Sequence, residues 1–427
     1  MAPKIEKFCS PGKGNGLRTV CRVSAGELLY TAVPFAYTVS KEGRGLVCEF
    51  CFAKKQGLLR CSRCKFVSYC DTSCQKQAWQ DHKRECLCLK SVSPSVPTDS
   101  VRLVGRIIFK VLRQSSCLSE ELYSLRDLES NISRISEEMK EGIMSLAVML
   151  NLYLKEEVKD VSRLLPTLDI LDLFAKVSCN CFSIYDGEMQ DVGVGLYPSM
   201  ALLNHSCDPN CVIVFNGSQL LLHSVCEIQA GEELTIAYID LIAPSFDRNK
   251  ELLKRYCFIC DCHRCQTQDK DTEMLMGVVE ICREVQASIT TVENLKSRKD
   301  WVQVLAVCRT MIKRSDGALP DANIYKMKLL DYAMDASINI CKWDEALQYG
   351  CRTLEPYKLY CGCHPVRAVQ LMKLGKLLMY QGMLCKASDM LIEAFEVMKV
   401  THGREHSLTK ELYQLLFDCE TEMGLAL

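Results

Sequence analysis

Between Cys48 and Cys86, eight soft-metal ligands fall into four pairs: Cys48-x2-Cys51, Cys61-x2-Cys64, Cys70-x3-Cys74 and His82-x3-Cys86. Gaps of that size let adjacent side chains reach one ion, so 39 residues (86 − 48 + 1) must close around two tetrahedral metal sites. A segment so short and so densely liganded has few other ways to fold. Spacing alone leaves open whether consecutive or alternate pairs share a metal, and Cys88 stands close enough to compete as a ligand.

A second cluster lies downstream. Asn204-His205-Ser206-Cys207-Asp208-Pro209-Asn210 sets turn formers and a thiol between apolar runs, which is the pattern of a site and not of a strand. Cys260-x-Cys262-x2-Cys265 adds three thiolates, and with Cys207 these make the ligands of a closed zinc site. Between them stands Gly231-Glu232-Glu233-Leu234-Thr235-Ile236-Ala237-Tyr238. The three sites use eleven of 28 cysteines, and the other seventeen are spread through apolar segments as small core residues.

The net charge of −1 argues against a chain held on nucleic acid by bulk electrostatics. Residues 48–90 do carry nine Lys or Arg against four Asp or Glu. Zinc-bound thiolates add about −3 in total, which cuts that surplus of five to about two and leaves weak DNA contact as a minor expectation. No apolar run approaches the roughly 18 residues of a membrane helix, and no basic-then-apolar start marks a signal peptide. No membrane contact is expected, and the thiols should stay reduced in cytoplasm and nucleus.

Gly12-Lys13-Gly14-Asn15-Gly16-Leu17 is followed by short alternating runs and no long helix, so it is not a dinucleotide fingerprint. Ser91–Ser100 is Ser- and Pro-rich and reads as a linker. From Val101 to about Val161 apolar residues return at helical spacing, with Ser136 a helix start. Val177–Ile184 and Leu220–Ile239 read as strands, with Asn216-Gly217 a hairpin signal. Beyond Asp271 the pattern is helical, and a faint period of about 42 residues, seen at Trp343 and again at Leu384, suggests stacked helix pairs.

Asn-His-Ser-Cys, then Gly-Glu-Glu-Leu with a tyrosine after it, then Cys-x-Cys-x2-Cys resembles the end of a SET-domain lysine methyltransferase and its post-SET zinc site. The upstream array, with Tyr69 before Cys70 and Gln75-x3-Trp79-x2-His82, resembles a MYND finger. Nearly the whole chain is similar to the SET and MYND domain family. Asp99-Ser100-Val101-Arg102-Leu103 and Val192-Gly193-Val194-Gly195-Leu196-Tyr197-Pro198 are most similar to its third vertebrate member.

That resemblance implies an α+β fold: a β-rich SET core split by a MYND zinc finger and a helical insertion, a post-SET zinc site, and an all-α tetratricopeptide-like C-terminal domain. The expected boundaries are 1–45 for the first SET segment, 46–90 for the finger and 91–178 for linker and insertion. The SET core then runs over 179–245, the post-SET region over 246–270 and the helical domain over 271–427.

The resemblance also implies which residues act. Interleaved pairing puts Cys48, Cys51, Cys70 and Cys74 on one zinc and Cys61, Cys64, His82 and Cys86 on a second; Cys207, Cys260, Cys262 and Cys265 hold a third. S-adenosylmethionine would meet Lys13, Gly14, Asn15, Tyr123, Asn131, Asn180, Asn204, His205, Tyr238 and Phe258, with Tyr238 the catalytic tyrosine. Phe182 and Tyr256 would wall the lysine channel. One departure is Ile236, where many SET domains carry a second tyrosine.

The implied activity is methyl transfer to lysines of histone tails and other proteins, with protein partners recruited through the finger and the C-terminal helices. The alternative is a catalytically silent transcriptional adaptor.

Overall fold

The computed structural model describes residues 4–113, 122–158 and 169–424. The chain opens with a hairpin of β1 (Ile5–Ser10) and β2 (Gly14–Thr19), whose turn needs Gly12 and Gly14 at φ of +74° and +80°. Next come β3 (Leu28–Ala32) and β4 (Ala36–Val39), then β5 (Leu59–Arg60) and β6 (Ser68–Tyr69) within the finger. The later strands are β7 (Cys181–Tyr185), β8 (Asp191–Leu196), β9 (Asn204–His205), β10 (Cys211–Asn216), β11 (Gln219–Ser224) and β12 (Thr235–Ile236).

Two three-stranded sheets explain how the core survives a long interruption. One has the order β10-β11-β3 and the other β4-β8-β7, so each joins a strand from before the finger to strands from after the insertion. Neither half can bury its apolar face alone. Asn216 pairs with Gln219 across the Gly217-Ser218 loop, as the Asn-Gly signal requires, and Gly217 sits at φ +62°. A β-carbon there would lie 2.9 Å from the Cys51 carbonyl, so glycine also lets the hairpin touch the finger.

Helix Thr72–Ser91 begins where Asp71 accepts a bond from the Cys74 amide at 2.8 Å. Helix Asp99–Arg113 buries every residue from Val101 to Phe109. Ser136 caps helix Glu137–Leu154 through the Met139 amide, as expected, while the end of the helical stretch near Val161 lies outside the described residues.

One strand expectation needs correction. Val177–Asn180 is the last turn of helix Ile170–Asn180, and the strand starts only at Cys181. Leu173, Phe174 and Val177 bury one helical face and Asp169 caps its start, so the short apolar run was a helix end joined to a strand. Leu220–Ile239 is likewise two short strands, Gln219–Ser224 and Thr235–Ile236, separated by turns.

The C-terminal helices form pairs: Trp301–Ser315 with Ile324–Asn339, Trp343–Cys361 with Pro365–Tyr380, and Leu384–Thr401 with Ser407–Glu422. First helices start 42 and 41 residues apart, second helices 41 and 42, which matches the faint period. Asn323, His364 and His406 cap the second helix of each pair from one repeat position.

Three thiolate clusters and a tyrosine-walled cavity

Helix Thr72–Ser91 carries Cys74, His82 and Cys86 on turns that face the loops holding the other finger ligands. The structure gathers Cys48, Cys51, Cys70 and Cys74 in one group and Cys61, Cys64, His82 and Cys86 in another, with ligand atoms within 4.8 Å of one another. Cys88 belongs to neither; it is buried, and burial pushes its thiol up to about 12. Four sulfurs around zinc at 2.3 Å lie about 3.8 Å apart. Cys51 is 3.6 Å from Cys70 and 3.9 Å from Cys74, and Cys61 is 3.8 Å from Cys86, so the donor set fits zinc. His82 turns Nε2 toward Cys64 and Nδ1 toward the Glu85 carboxylate at 3.2 Å, the arrangement that fixes a metal-binding tautomer.

Glu85 does more than orient His82. Its oxygens accept from Arg102 Nε and Arg106 Nη2 at 3.0 and 2.6 Å, and both arginines also reach Glu49 at 2.7 Å. All four side chains are buried, and the guanidiniums donate onward to the Val39 and Tyr37 carbonyls of β4. Burial alone would push the Glu85 carboxyl up, but Arg102 and Arg106 hold it well below the usual range. No motif marks this network, because its bonded partners lie 17 to 57 residues apart.

Cys207, Cys260, Cys262 and Cys265 form the third group, with Cys207 3.5 Å from Cys265 and 4.0 Å from Cys260. Arg248, fully buried, donates to Cys207 at 3.3 Å and to Cys265 at 3.5 Å, placing a cation against the thiolates. From this cluster a short path leads to the tyrosine. The Tyr238 amide donates to His205 Nδ1 at 3.0 Å, which leaves Nε2 as the protonated nitrogen, and Nε2 faces Cys207 Sγ at 3.2 Å. Both ring nitrogens are thus engaged by the protein, which leaves the backbone and the ring faces of His205 toward a cofactor.

Parallel pairing of β9 with β12 sets Asn204 opposite Thr235 and His205 opposite Ile236, two residues before Tyr238. The Tyr238 hydroxyl donates to the Leu203 carbonyl at 2.5 Å, and burial raises it above the ordinary tyrosine range, so it stays protonated. Its ring lies 4.9 Å from Tyr256 and 6.4 Å from Phe258, and Phe258 is 6.0 Å from His205.

The expected cofactor contacts fall into neighbouring groups. Asn204 donates to the Asn15 carbonyl at 3.2 Å and to Glu233 at 2.8 Å; Lys13 meets Glu233 at 3.8 Å, and Asn15 meets the Tyr123 hydroxyl at 3.3 Å. Glu233, quoted in the sequence motif without a role, is the carboxylate that gathers this hairpin. A β-carbon on Gly16 would come within 3.0 Å of both Glu233 and Asn204, which shows how tightly the hairpin packs on it. Gly14 has open space around it and serves the turn. Asn180 donates to the Glu129 and Lys176 carbonyls at 2.8 Å, and Asn131 sits nearby at φ +53°. Amides at Asn15, Asn131, Asn180 and Asn204 suit the polar groups of S-adenosylmethionine. The rings of Tyr238 and Phe258 suit its cationic sulfonium and adenine, so the donor set fits the group.

Phe182, Tyr238, Tyr256 and Ile236 line a cavity of about 660 Å³ between the β core and the C-terminal helices, whose far wall carries Lys328, Asp331, Tyr357 and His364. Phe182 is held edge-on against Tyr197 at 5.8 Å.

A MYND finger family model matches residues 48–86. The chain is 54% identical over 423 residues to "Histone-lysine N-methyltransferase SMYD3" of Mus musculus, covering 99% of each. It is 53% identical over 421 residues to the Homo sapiens protein of that name, covering 98% of each. It is 34% identical over 437 residues to "N-lysine methyltransferase SMYD2" of Sus scrofa, covering 96% of this chain and 97% of the relative. Fold and site together define a SET-type lysine methyltransferase carrying a MYND finger. The chain belongs to the SET and MYND domain family, with higher identity to the third member than to the second. Among the described residues, no helix is long and apolar enough to cross a membrane.

Proposed function

We propose that this chain transfers methyl groups to lysine side chains of histone tails and other proteins, in cytoplasm and nucleus, with a role in transcription regulation. The observation that carries this is Tyr238, anchored through Leu203 and His205 at one end of a ring-walled cavity. S-adenosylmethionine, when bound, supplies the methyl on a sulfonium.

The protein's share of the chemistry begins with the lysine amine. Its reference pKa near 10.4 makes the neutral form cost roughly 4 to 5 kcal/mol at neutral pH. Phe182, Tyr256 and Ile236 surround the channel with apolar atoms that disfavour the ammonium, so no dedicated base is needed. Tyr238, fixed at both its amide and its hydroxyl, orients the reacting groups; alignment of this kind can contribute about 7 to 11 kcal/mol. Ile236 leaves the channel without a second hydroxyl there.

The finger supports protein recruitment and weak nucleic-acid contact. Glu49 and Glu85 face inward onto Arg102 and Arg106, so the outward face of the finger is more basic than its composition suggests. Nucleic-acid affinity that does not fall with added salt would remove that second role. Transfer of labelled methyl to histones and cell extract tests the enzyme. Labelled bands support it, and no label from folded, zinc-loaded protein leaves a silent adaptor.

A further inference from the structure

The far wall of the cavity holds a carboxylate whose surroundings no part of the methyl transfer explains. Asp331 accepts a bond from the Tyr357 hydroxyl at 2.8 Å on one oxygen and from Gln370 Nε2 at 3.3 Å on the other. Both donors are neutral. The cations nearest in charge effect, Lys296 and Lys373, lie 3.4 and 3.9 Å from Asp335 one turn further on, and no ion pair joins either to Asp331 among the described residues. Lys328 also lines the cavity without pairing with it. Burial pushes the Asp331 carboxyl up to about 7, against the lowering effect of Tyr357. Gln370 is itself held by Thr353 at 2.8 Å, so the carboxylate is fixed before anything binds.

A preoriented acid with neutral donors behind it and open cavity in front is suited to a cation from outside the chain. On the reading that Tyr238 marks the reacting end of this cavity, we propose that Asp331 is a specificity residue that receives a second basic side chain, lysine or arginine, of the peptide being methylated. The wall around it favours that ligand over an acidic one, since Asp240 shares the cavity and the His364 imidazole is kept neutral by burial. Two cations oppose it among the cavity's lining residues, Lys328 and Arg255, and Arg255 is paired with Glu251 at 3.1 Å. The contact strengthens as pH rises through about 7, where the carboxyl ionises, and the arriving cation favours ionisation further.

The test uses the full-length protein and peptides with one target lysine, in which a single arginine is walked through each flanking position and compared with glutamine there. Wild type should prefer arginine at one position by about tenfold in kcat/KM, chiefly through KM, and Asp331→Asn should bring that ratio close to one. Glu251→Gln, which also removes a cavity carboxylate, should leave the preference in place. A wild-type ratio near one at every position, or a preference unchanged in Asp331→Asn, overturns the inference. Anisotropy of the same peptides, labelled with a fluorophore, reads the preference without turnover. A protein that binds with the arginine preference but transfers no methyl would fail as an enzyme while keeping this site.

Discussion

The finger and the C-terminal helices flank the same β core, and they are fastened to it by opposite means. Finger cysteines Cys48, Cys61, Cys64 and Cys86 belong to one apolar cluster with core residues such as Leu17, Leu29 and Leu196, and the Arg102–Arg106–Glu49–Glu85 network seals the junction. The helical domain instead keeps cores of its own. Its contacts with the β core include His406 Nε2 donating to the Phe215 carbonyl at 3.0 Å, Val400 against Gly26, Gly403 beside His223, Leu408 against Gly187, and Ile242 packed on Met327 and Tyr357. The cavity lies between the β core and the helical domain. A finger that shares its core with the catalytic half cannot leave without unfolding it, whereas a domain with separate cores can shift and remain folded.

The largest effect that separates the two is metal removal. Stripping zinc should unfold the finger and the post-SET loop and abolish activity, while the helices between 279 and 422 retain their amide protection in hydrogen exchange. Activity retained after verified metal loss would contradict this. Next, Arg106→Met leaves Glu85 and Glu49 short of a buried cation and should cost about 3 to 5 kcal/mol, read as a lower denaturation midpoint for finger and core together. A loss under about 1 kcal/mol would mean the network is not what joins them.

Smaller effects belong to the other side. A β-carbon on Gly350 would lie 2.4 Å from Leu374 Cδ2 and 2.6 Å from Met334 Sδ, so Gly350→Ala should destabilise the helical domain by about 1 to 3 kcal/mol and leave finger protection unchanged. The smallest is set by pH. Burial lowers His223, His402 and His406, with His402 pushed to about 3, so all three are neutral when docked. Freed histidines titrate near 6.5, so docking is fully favourable above that value and weakens as pH falls toward the docked values. Protection from hydrogen exchange, corrected for the intrinsic pH dependence of amide exchange, should fall near residues 211–224 and 400–410 at about pH 5 relative to about pH 7.5, with helix Asp99–Arg113 unaffected. Equal protection at both would show that the histidines do not govern docking.

Local chemistry was legible in the sequence. Ligand pairs two or three residues apart announce a shared ion, an Asn-Gly pair announces a hairpin, and a 42-residue echo announces stacked helices, because each signal is contained in a short window. Long-range chemistry was not. Glu85 looks like any surface glutamate until Arg102 and Arg106 close on it, and Glu233 sat in a recognised motif while its work of gathering Lys13 and Asn204 depends on folding. Val177–Asn180 misled because four apolar or small residues suit either a strand or a helix end. The partners of the His205 ring nitrogens, the Tyr238 amide and Cys207 Sγ, likewise appear only in the fold.

The tyrosine lies in the cavity between the β core and the helical domain, and its hydroxyl can be removed with little change in shape. Methyl transfer to histones by Tyr238→Phe, compared with wild type at matched zinc content and matched thermal stabilisation by S-adenosylmethionine, isolates that hydroxyl. Loss of transfer with cofactor binding retained is the expected result. Undiminished transfer by the phenylalanine variant would contradict the assignment of this cavity as the catalytic centre.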